Sequence, residues 1–246
     1  MTKSNSIIFI PTYNEVENVE RIFREIKSCN LDSDILFLDD NSPDGTGKVI
    51  DGLVENNPGT FVIHRTGKQG IGSAHKAGIA WAYEKKYEVL ITMDCDFTHS
   101  PSYIINFIRH ADKADIVVGS RYMKKHSLAT WNLFRKSLTK LGHFLTVNLL
   151  NMPYDASGAF RLYNLKNIDI KTFDMIHSNG YSFFFESLFI LNFNNKRIFE
   201  IPIELPSRTY GTSKMTWKDA WKSFEFLMSL SFRKVFNKKS LVRNEN

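Results

Sequence analysis

The sequence predicts an α/β fold in which helices cover both faces of a mostly parallel sheet. Three observations carry that expectation. Short apolar runs recur along the first half of the chain, each is followed by a stretch with helical spacing, and acidic or glycine-rich residues stand where the runs end. Strands buried on both faces read as continuous apolar runs, and parallel neighbours need helical crossovers.

The first unit is the strand "SIIFI" and the helix "EVENVERIFREIKS", with Val16, Val19, Ile22, Phe23 and Ile26 at helical spacing. "DILFL" and "TGKVIDGLVEN" form the second. "TFVIH" precedes a glycine-rich turn and the helix "SAHKAGIAWAYEKK". "EVLITM" leads into two aspartates and then "PSYIINFIRHA", where Pro101 suits a first helical turn. "DIVVG" is the fifth strand. Beyond Arg121 the rhythm changes to a long helical stretch over about 131–150, then "YDASGAFRLYN", a helix near "FFFESLFIL" and a strand in "KRIFEIPIEL". No linker separates this half, so it reads as an elaboration of the same sheet. Residues 1–215 are expected to form one domain, and 216–246 a basic amphipathic helix and tail.

With 246 residues, 43% of them hydrophobic, the chain can fill one substantial core. Its 32 Lys and Arg outnumber 26 Asp and Glu, a net +6 that suits phosphorylated metabolites, an acidic membrane surface or nucleic acid, and equally a plain solvated surface. Two cysteines cannot make a disulfide framework, so a reducing compartment is expected. The N-terminus lacks a signal-peptide apolar region, and no run approaches the roughly 20 apolar residues of a membrane span. A soluble or peripheral protein is the expectation.

In open parallel sheets, ligands sit outside the C-terminal strand ends. Those ends carry "PTYNE", "DDNSPDGT", "RTGKQGIGSA", "MDCDFTHSP" and "GSR". Asp94 and Asp96, spaced i, i+2 in extended chain, leave one face together. They suit either a metal ion carrying a ligand's phosphates or, as D-x-D-x-T with Thr98, an aspartyl-phosphate nucleophile. The second reading needs its acidic pair after the D-x-D, whereas Asp39 and Asp40 precede it by two strands. A nicotinamide fingerprint fails as well, because His75 stands where its third glycine belongs and the pattern follows the third strand.

The set "PTYNE", "DDNSPDGT", "GKQGIGSA", "MDCDFTHSP", "GSRY", "DASGAFR" and "RTYGTSK" resembles the family-2 glycosyltransferases of the GT-A (Rossmann-like) fold. Within them it is most similar to the dolichol-phosphate mannose synthases and other polyprenyl-phosphate glycosyltransferases. The likeness runs from about residue 7 to 214. It implies transfer of a sugar from a nucleotide sugar (GDP-mannose or a UDP-hexose) to dolichyl or undecaprenyl phosphate, with no nucleic-acid partner. Pro11, Tyr13, Glu15 and Asp40 would hold the nucleoside, and Arg208 and Lys214 would close over the diphosphate. Asp94 and Asp96 would bind Mg²⁺ or Mn²⁺, hard cations that take oxygen ligands. Arg121, Arg135 and Thr139 would grip the acceptor phosphate, with Ser157 and Gly158 between donor and acceptor.

Thr98 stands where some family members carry a glutamine metal ligand, and "GYSFFFES" keeps Glu186 while losing another family glutamine. Either a functional or a buried structural role suits Glu186. A phosphate acceptor, with a second pKa near ~6, is already anionic at neutral pH and needs no general base. Hydroxyl acceptors, the alternative, need a carboxylate base that an "ED" pair often supplies, and this chain has no "ED". Inversion at the anomeric carbon is expected. In the tail, Trp217, Trp221, Phe224, Met228 and Val235 share a helical face flanked by Lys218, Lys222, Arg233, Lys234, Lys238 and Lys239. That pattern suits a helix lying in a membrane interface, peripheral on the cytoplasmic face, or one packed on the domain with a solvated basic end.

Overall fold

The computed structural model describes residues 4–125, 127–131, 133–206 and 216–243. Four βα units and a fifth strand come first: β1 (Ser6–Thr12), α1 (Val16–Ser28), β2 (Asp34–Asp39), α2 (Thr46–Asn56), β3 (Thr60–His64), α3 (Ile71–Glu84), β4 (Val89–Thr92), α4 (Ile104–His110) and β5 (Ile116–Ser120). The second half supplies α5 (Leu133–Leu150), β6 (Arg161–Asn164), α6 (Ile170–Asp174), α7 (Phe183–Phe193), β7 (Ile198–Pro202) and α8 (Trp217–Phe236). The strands join into one seven-stranded sheet in the order β3-β2-β1-β4-β6-β5-β7. Among the described residues only β6 runs antiparallel, pairing with β4 and β5.

β1 shows why the sheet is covered on both sides. Ile7 and Phe9 face one core, with α3, α7 and α8; Ile8 and Ile10 face the other, with α1 and α4, and all four are fully buried. The period-two alternation of a strand sends successive side chains to opposite faces, so a continuous apolar run is what this position demands. α3 lies close against β1 because Gly78 leaves room for the Phe9 ring, which a Cβ there would meet at 2.5 Å.

The glycine-rich turn after β3 has a packing reason. A Cβ on Gly72 would lie 2.7 Å from Phe183 Cβ and 2.8 Å from the Asn179 carbonyl carbon. The loop at 176–180 therefore rests directly on the start of α3. Ser73 N–H donates to Asn179 O (3.1 Å) and Lys76 Nζ to Ile176 O (3.1 Å). From the other side the fully buried Glu186 accepts the His177 and Ser178 amides at 3.0 and 2.8 Å. Of the two roles the sequence allowed Glu186, these contacts supply the structural one.

Order reverses around β1, which pairs with β2 on one side and β4 on the other, and such a switch point opens a crevice at the C-terminal strand ends. The antiparallel sense of β6 adds to it. Arg161, the first residue of β6, lies opposite Thr92 at the end of β4, so the segment "DASGAF" arrives at the same edge. Thr92 Oγ1 donates to Ala159 O at 2.6 Å and joins the two directly.

The C-terminal helix is part of this unit. A capping box of Thr216 and Asp219 starts α8, while Leu227, Leu230 and the following Leu241 are buried in the core with α7. Its opposite face stays exposed.

Candidate active site

The loops after β1 and β2 are tied into one wall. Glu15, at the α1 N-cap, provides no side-chain cap, so the amides leading into that helix need other acceptors. The β2 loop supplies them: Asn14 N–H donates to Ser42 Oγ (3.0 Å), Glu15 N–H to Thr46 Oγ1 (2.9 Å) and Val16 N–H to Asp44 Oδ2 (3.1 Å). Burial pushes the Asp44 carboxyl up, but the hydrogen bonds from Thr46 and Val16 outweigh it and hold the group below its ordinary value. Pro11, opposite Leu38 in the ladder, Tyr13, Glu15 and Asp40 are thus brought to one edge.

Asp40 is nearly buried and pairs with Arg65, the first residue after β3, whose Nη1 also donates to Ser73 Oγ (2.6 Å). Burial raises the Asp40 carboxyl, the Arg65 hydrogen bond and charge lower it, and the net shift is upward. The Lys68 ammonium sits 4.8 Å from the Tyr13 ring centroid.

The D-x-D turn is built by its own neighbours. Phe97 takes a left-handed φ of 62°, which folds the chain back so that Thr98 N–H (3.1 Å) and Oγ1 (2.6 Å) both donate to Asp96 Oδ1. Asp94 N–H donates to Nδ1 of the buried His99 at 2.9 Å, which puts the ring proton on Nε2. The 3.7 Å approach of that Nδ1 to Asp94 Oδ2 is accordingly a contact rather than an ion pair. Asp94 is half-exposed and Asp96 buried; Thr98 holds the Asp96 carboxylate, and His99 holds the backbone of Asp94. Among the described residues no group of three or more His, Cys, Asp and Glu could hold a metal by itself. Two oriented carboxylates nonetheless fit Mg²⁺, which is usually held by one or two carboxylates plus a substrate's phosphates.

Across the crevice stands a buried ion pair. Arg121 donates through Nε to Asp155 Oδ2 (2.7 Å), through Nη2 to Asp155 Oδ1 (2.5 Å) and to Ser157 Oγ (2.5 Å), while its own amide donates to Oδ2 (2.9 Å). Burial opposes both charges, yet the pairing wins: Asp155 is held below the usual carboxylate range and Arg121 is raised. Arg121 therefore shapes the "DASG" segment around Ser157 and Gly158. Tyr122 fixes α5 beside it by stacking on His143 (3.8 Å between centroids) and donating its hydroxyl to Thr139 O at 3.1 Å. Arg135, on the first turn of α5, lies 3.5 Å above the Trp131 ring.

The structure thus gathers Pro11, Tyr13, Glu15, Asp40, Asp94 and Asp96 along the strand ends, with Arg121, Arg135, Thr139, Ser157 and Gly158 on the β5–α5–β6 side. Arg208 and Lys214 lie outside the described residues. Sequence reading passed over Arg65, His99 and Asp155. Arg65 had a signal, its place at a strand end. His99 and Asp155 stand inside the quoted "MDCDFTHSP" and "DASGAFR", but their partners are set by the turn and by β6, so their roles could not be read.

A doubly wound sheet with a D-x-D at its switch-point edge is the arrangement expected of a glycosyltransferase of the GT-A fold. Residues 7–181 match glycosyl transferase family 2. An undecaprenyl-phosphate mannosyltransferase of Micrococcus luteus is 34% identical over 211 residues, 85% of this chain and 87% of that protein. A polyprenol monophosphomannose synthase of Mycolicibacterium smegmatis is 34% identical over 217 residues, 86% of this chain and 81% of that protein. Among solved structures, the mannosyltransferase PcManGT of Pyrobaculum calidifontis, in complex with GDP-Man and Mn²⁺, aligns with a TM-score of 0.60 at 13% identity over 98% of this chain and 70% of its own. TarS of S. aureus with UDP-GlcNAc aligns at 0.59 and 13%, over 94% and 66%. The chain belongs to glycosyl transferase family 2.

Proposed function

We propose that the protein transfers a glycosyl group, a mannosyl group in first place, from a nucleotide sugar to a polyprenyl phosphate at a membrane surface. The observation that carries this reading is the relatedness, over more than four fifths of the chain, to proteins named for mannosyl transfer to polyprenyl phosphates. The site agrees with it chemically, since carboxylates stand at the strand ends and Arg135 on the α5 side.

In this reading Pro11, Tyr13, Glu15 and Asp40 hold the nucleoside, and Arg208 and Lys214 cover the diphosphate. Asp94 and Asp96 hold Mg²⁺ or Mn²⁺, which when bound neutralises the charge of the departing nucleoside diphosphate. Arg135 and the Thr139 hydroxyl grip the acceptor phosphate, for which a planar guanidinium is well suited. Arg121 serves them from behind, by setting Ser157 and Gly158 through Asp155. An acceptor phosphate oxygen forms the new bond to the anomeric carbon as the bond to the diphosphate oxygen breaks in line, so an α-linked donor gives a β-linked product. No proton has to leave the nucleophile, and catalysis rests on positioning and charge.

No helix among the described residues is long and apolar enough to cross a membrane. The exposed Trp217, Trp221, Phe224 and Met228 of α8, with Lys218 and Lys222 beside them, support peripheral binding to a membrane surface, and the cytoplasmic face is the side we propose.

The test is nucleoside-diphosphate release from a panel of GDP- and UDP-sugars with Mg²⁺ or Mn²⁺, with and without a short polyprenyl phosphate. Lipid-dependent release from one donor, abolished in Asp96→Ala, is expected. Release only with a sugar-hydroxyl acceptor would replace the reading.

A further inference from the structure

Asp40, assigned above to the donor nucleoside, takes its orientation from a chain of contacts behind it. Arg65 meets Asp40 Oδ1 with both Nε and Nη2, and the two side chains are nearly buried. A guanidinium is a rigid planar fork, so its own setting fixes which way the carboxylate is turned. That setting comes from Ser73, the third residue of α3. The Ser73 hydroxyl has one proton to give, and it goes to Gly70 O or Gln69 O, at 3.0 and 3.1 Å. Its lone pairs are left to accept Arg65 Nη1 at 2.6 Å.

Ser73 is itself held from the second half of the chain. α3 starts without a side-chain cap, because its N-cap is Gly70 at φ 96° and ψ 149°, a conformation essentially reserved for glycine. An acceptor comes from outside instead, and Ser73 N–H donates to Asn179 O at 3.1 Å. The two residues before Asn179 are His177 and Ser178, whose amides donate to the two carboxylate oxygens of Glu186 at 3.0 and 2.8 Å. Lys76 holds the carbonyl side of the same loop, with Nζ 3.1 Å from Ile176 O. A fully buried carboxylate and a lysine thus grip one short loop from both sides. The next carbonyl of that loop fixes the residue that fixes Arg65.

We infer that Ser73 is a positioning residue for the donor nucleoside, acting through Arg65 on Asp40, and that the 176–180 loop with Glu186 is the support that keeps it in place. The inference rests on the proposed donor site. It adds that nucleoside affinity is set in part by α3 and α7, from residues that stand behind the site.

The experiment measures GDP and UDP binding to the full chain by calorimetry with Mn²⁺, and donor and acceptor KM in the transfer assay. Ser73→Ala leaves Arg65 without its hydroxyl partner and should weaken the preferred nucleoside diphosphate about tenfold. Donor KM should rise by the same factor, with kcat and acceptor KM steady. Ser73→Thr keeps the hydroxyl and should restore the parent values. Glu186→Gln offers one acceptor oxygen to two amides and should weaken binding in the same direction, by less. Because Ser73 acts through Asp40, the double variant Ser73→Ala with Asp40→Asn should bind as Asp40→Asn does alone. A parent that binds neither nucleotide would overturn the donor-site reading and the inference with it. Unchanged binding in Ser73→Ala, or losses that add in the double variant, would overturn the inference and leave that reading standing. An acceptor KM that rises as far as the donor KM would overturn it too, since that marks a general loosening of the edge. Unchanged binding in Glu186→Gln would overturn the part given to the loop.

Discussion

Thr98 turns both its amide and its hydroxyl onto one oxygen of Asp96, and so fixes how that carboxylate faces the crevice. Partners that orient metal ligands commonly matter by 10–100-fold. Thr98→Val should therefore raise the Mn²⁺ concentration for half-maximal activity about 10- to 100-fold, while Thr98→Ser stays near the parent; a metal titration of initial rates decides it. Asp40 gives a pH prediction. Burial, only partly offset by Arg65, raises its pKa in the folded chain, so between the ordinary and the raised value the folded state holds the extra proton. Stability from this group falls as pH rises through that window. Under the proposed role of Asp40 in holding the nucleoside, donor binding runs the other way, because the ionised carboxylate that would accept the nucleoside's hydrogen bonds is lost as pH falls through the same window. Arg65→Met should move the window upward, seen as a rise in donor KM that sets in at a higher pH than in the parent. An unchanged profile would remove Asp40 from the donor site. At this scale Asp94, Asp96 and Asp40 were legible because they sit at strand ends in a recognisable order. Arg65, His99 and Asp155 act through contacts that no local spacing encodes.

Among the elements, the four βα units and the fifth strand were legible because each strand is a buried apolar run and each helix has one apolar face. β6 was not. Four residues, one of them the fully buried Arg161, leave no alternation to read, and that guanidinium is satisfied by Ala156 O (2.8 Å), Phe184 O (2.7 Å) and Ser187 Oγ (3.0 Å). Its antiparallel sense nevertheless decides the site, since it returns "DASG" to the edge where β4 ends. The glycine-rich turn shows the converse, a legible motif whose reason is packing. Gly72→Ala would push a methyl into Phe183 and the 179–180 backbone, and overpacking of this kind costs about 1–3 kcal/mol. Urea unfolding should show that loss, and an unchanged midpoint would mean the 176–180 loop yields freely.

At the scale of the whole molecule, the crevice lies beside α5, and the exposed faces of α5 and α8 extend from it. Leu133, Leu141 and Phe144 continue on α5 the apolar surface that α8 begins, all more than half exposed. Removing residues 216–246 would not test membrane binding cleanly, because Leu227, Leu230 and Leu241 leave the core with them. Surface charges offer a cleaner test. Lys218 and Lys222 are exposed on the first turns of α8, and a basic residue near an anionic bilayer contributes about 1 kcal/mol. Lys218→Gln with Lys222→Gln should lower partitioning onto phosphatidylserine vesicles roughly 30-fold while leaving the unfolding midpoint in place. Added salt should weaken the parent's binding in the same direction, since exposed charges are screened within about 8 Å at physiological ionic strength. Binding that is as strong on neutral vesicles, or indifferent to both lysines, would show that the aromatic face alone carries the attachment.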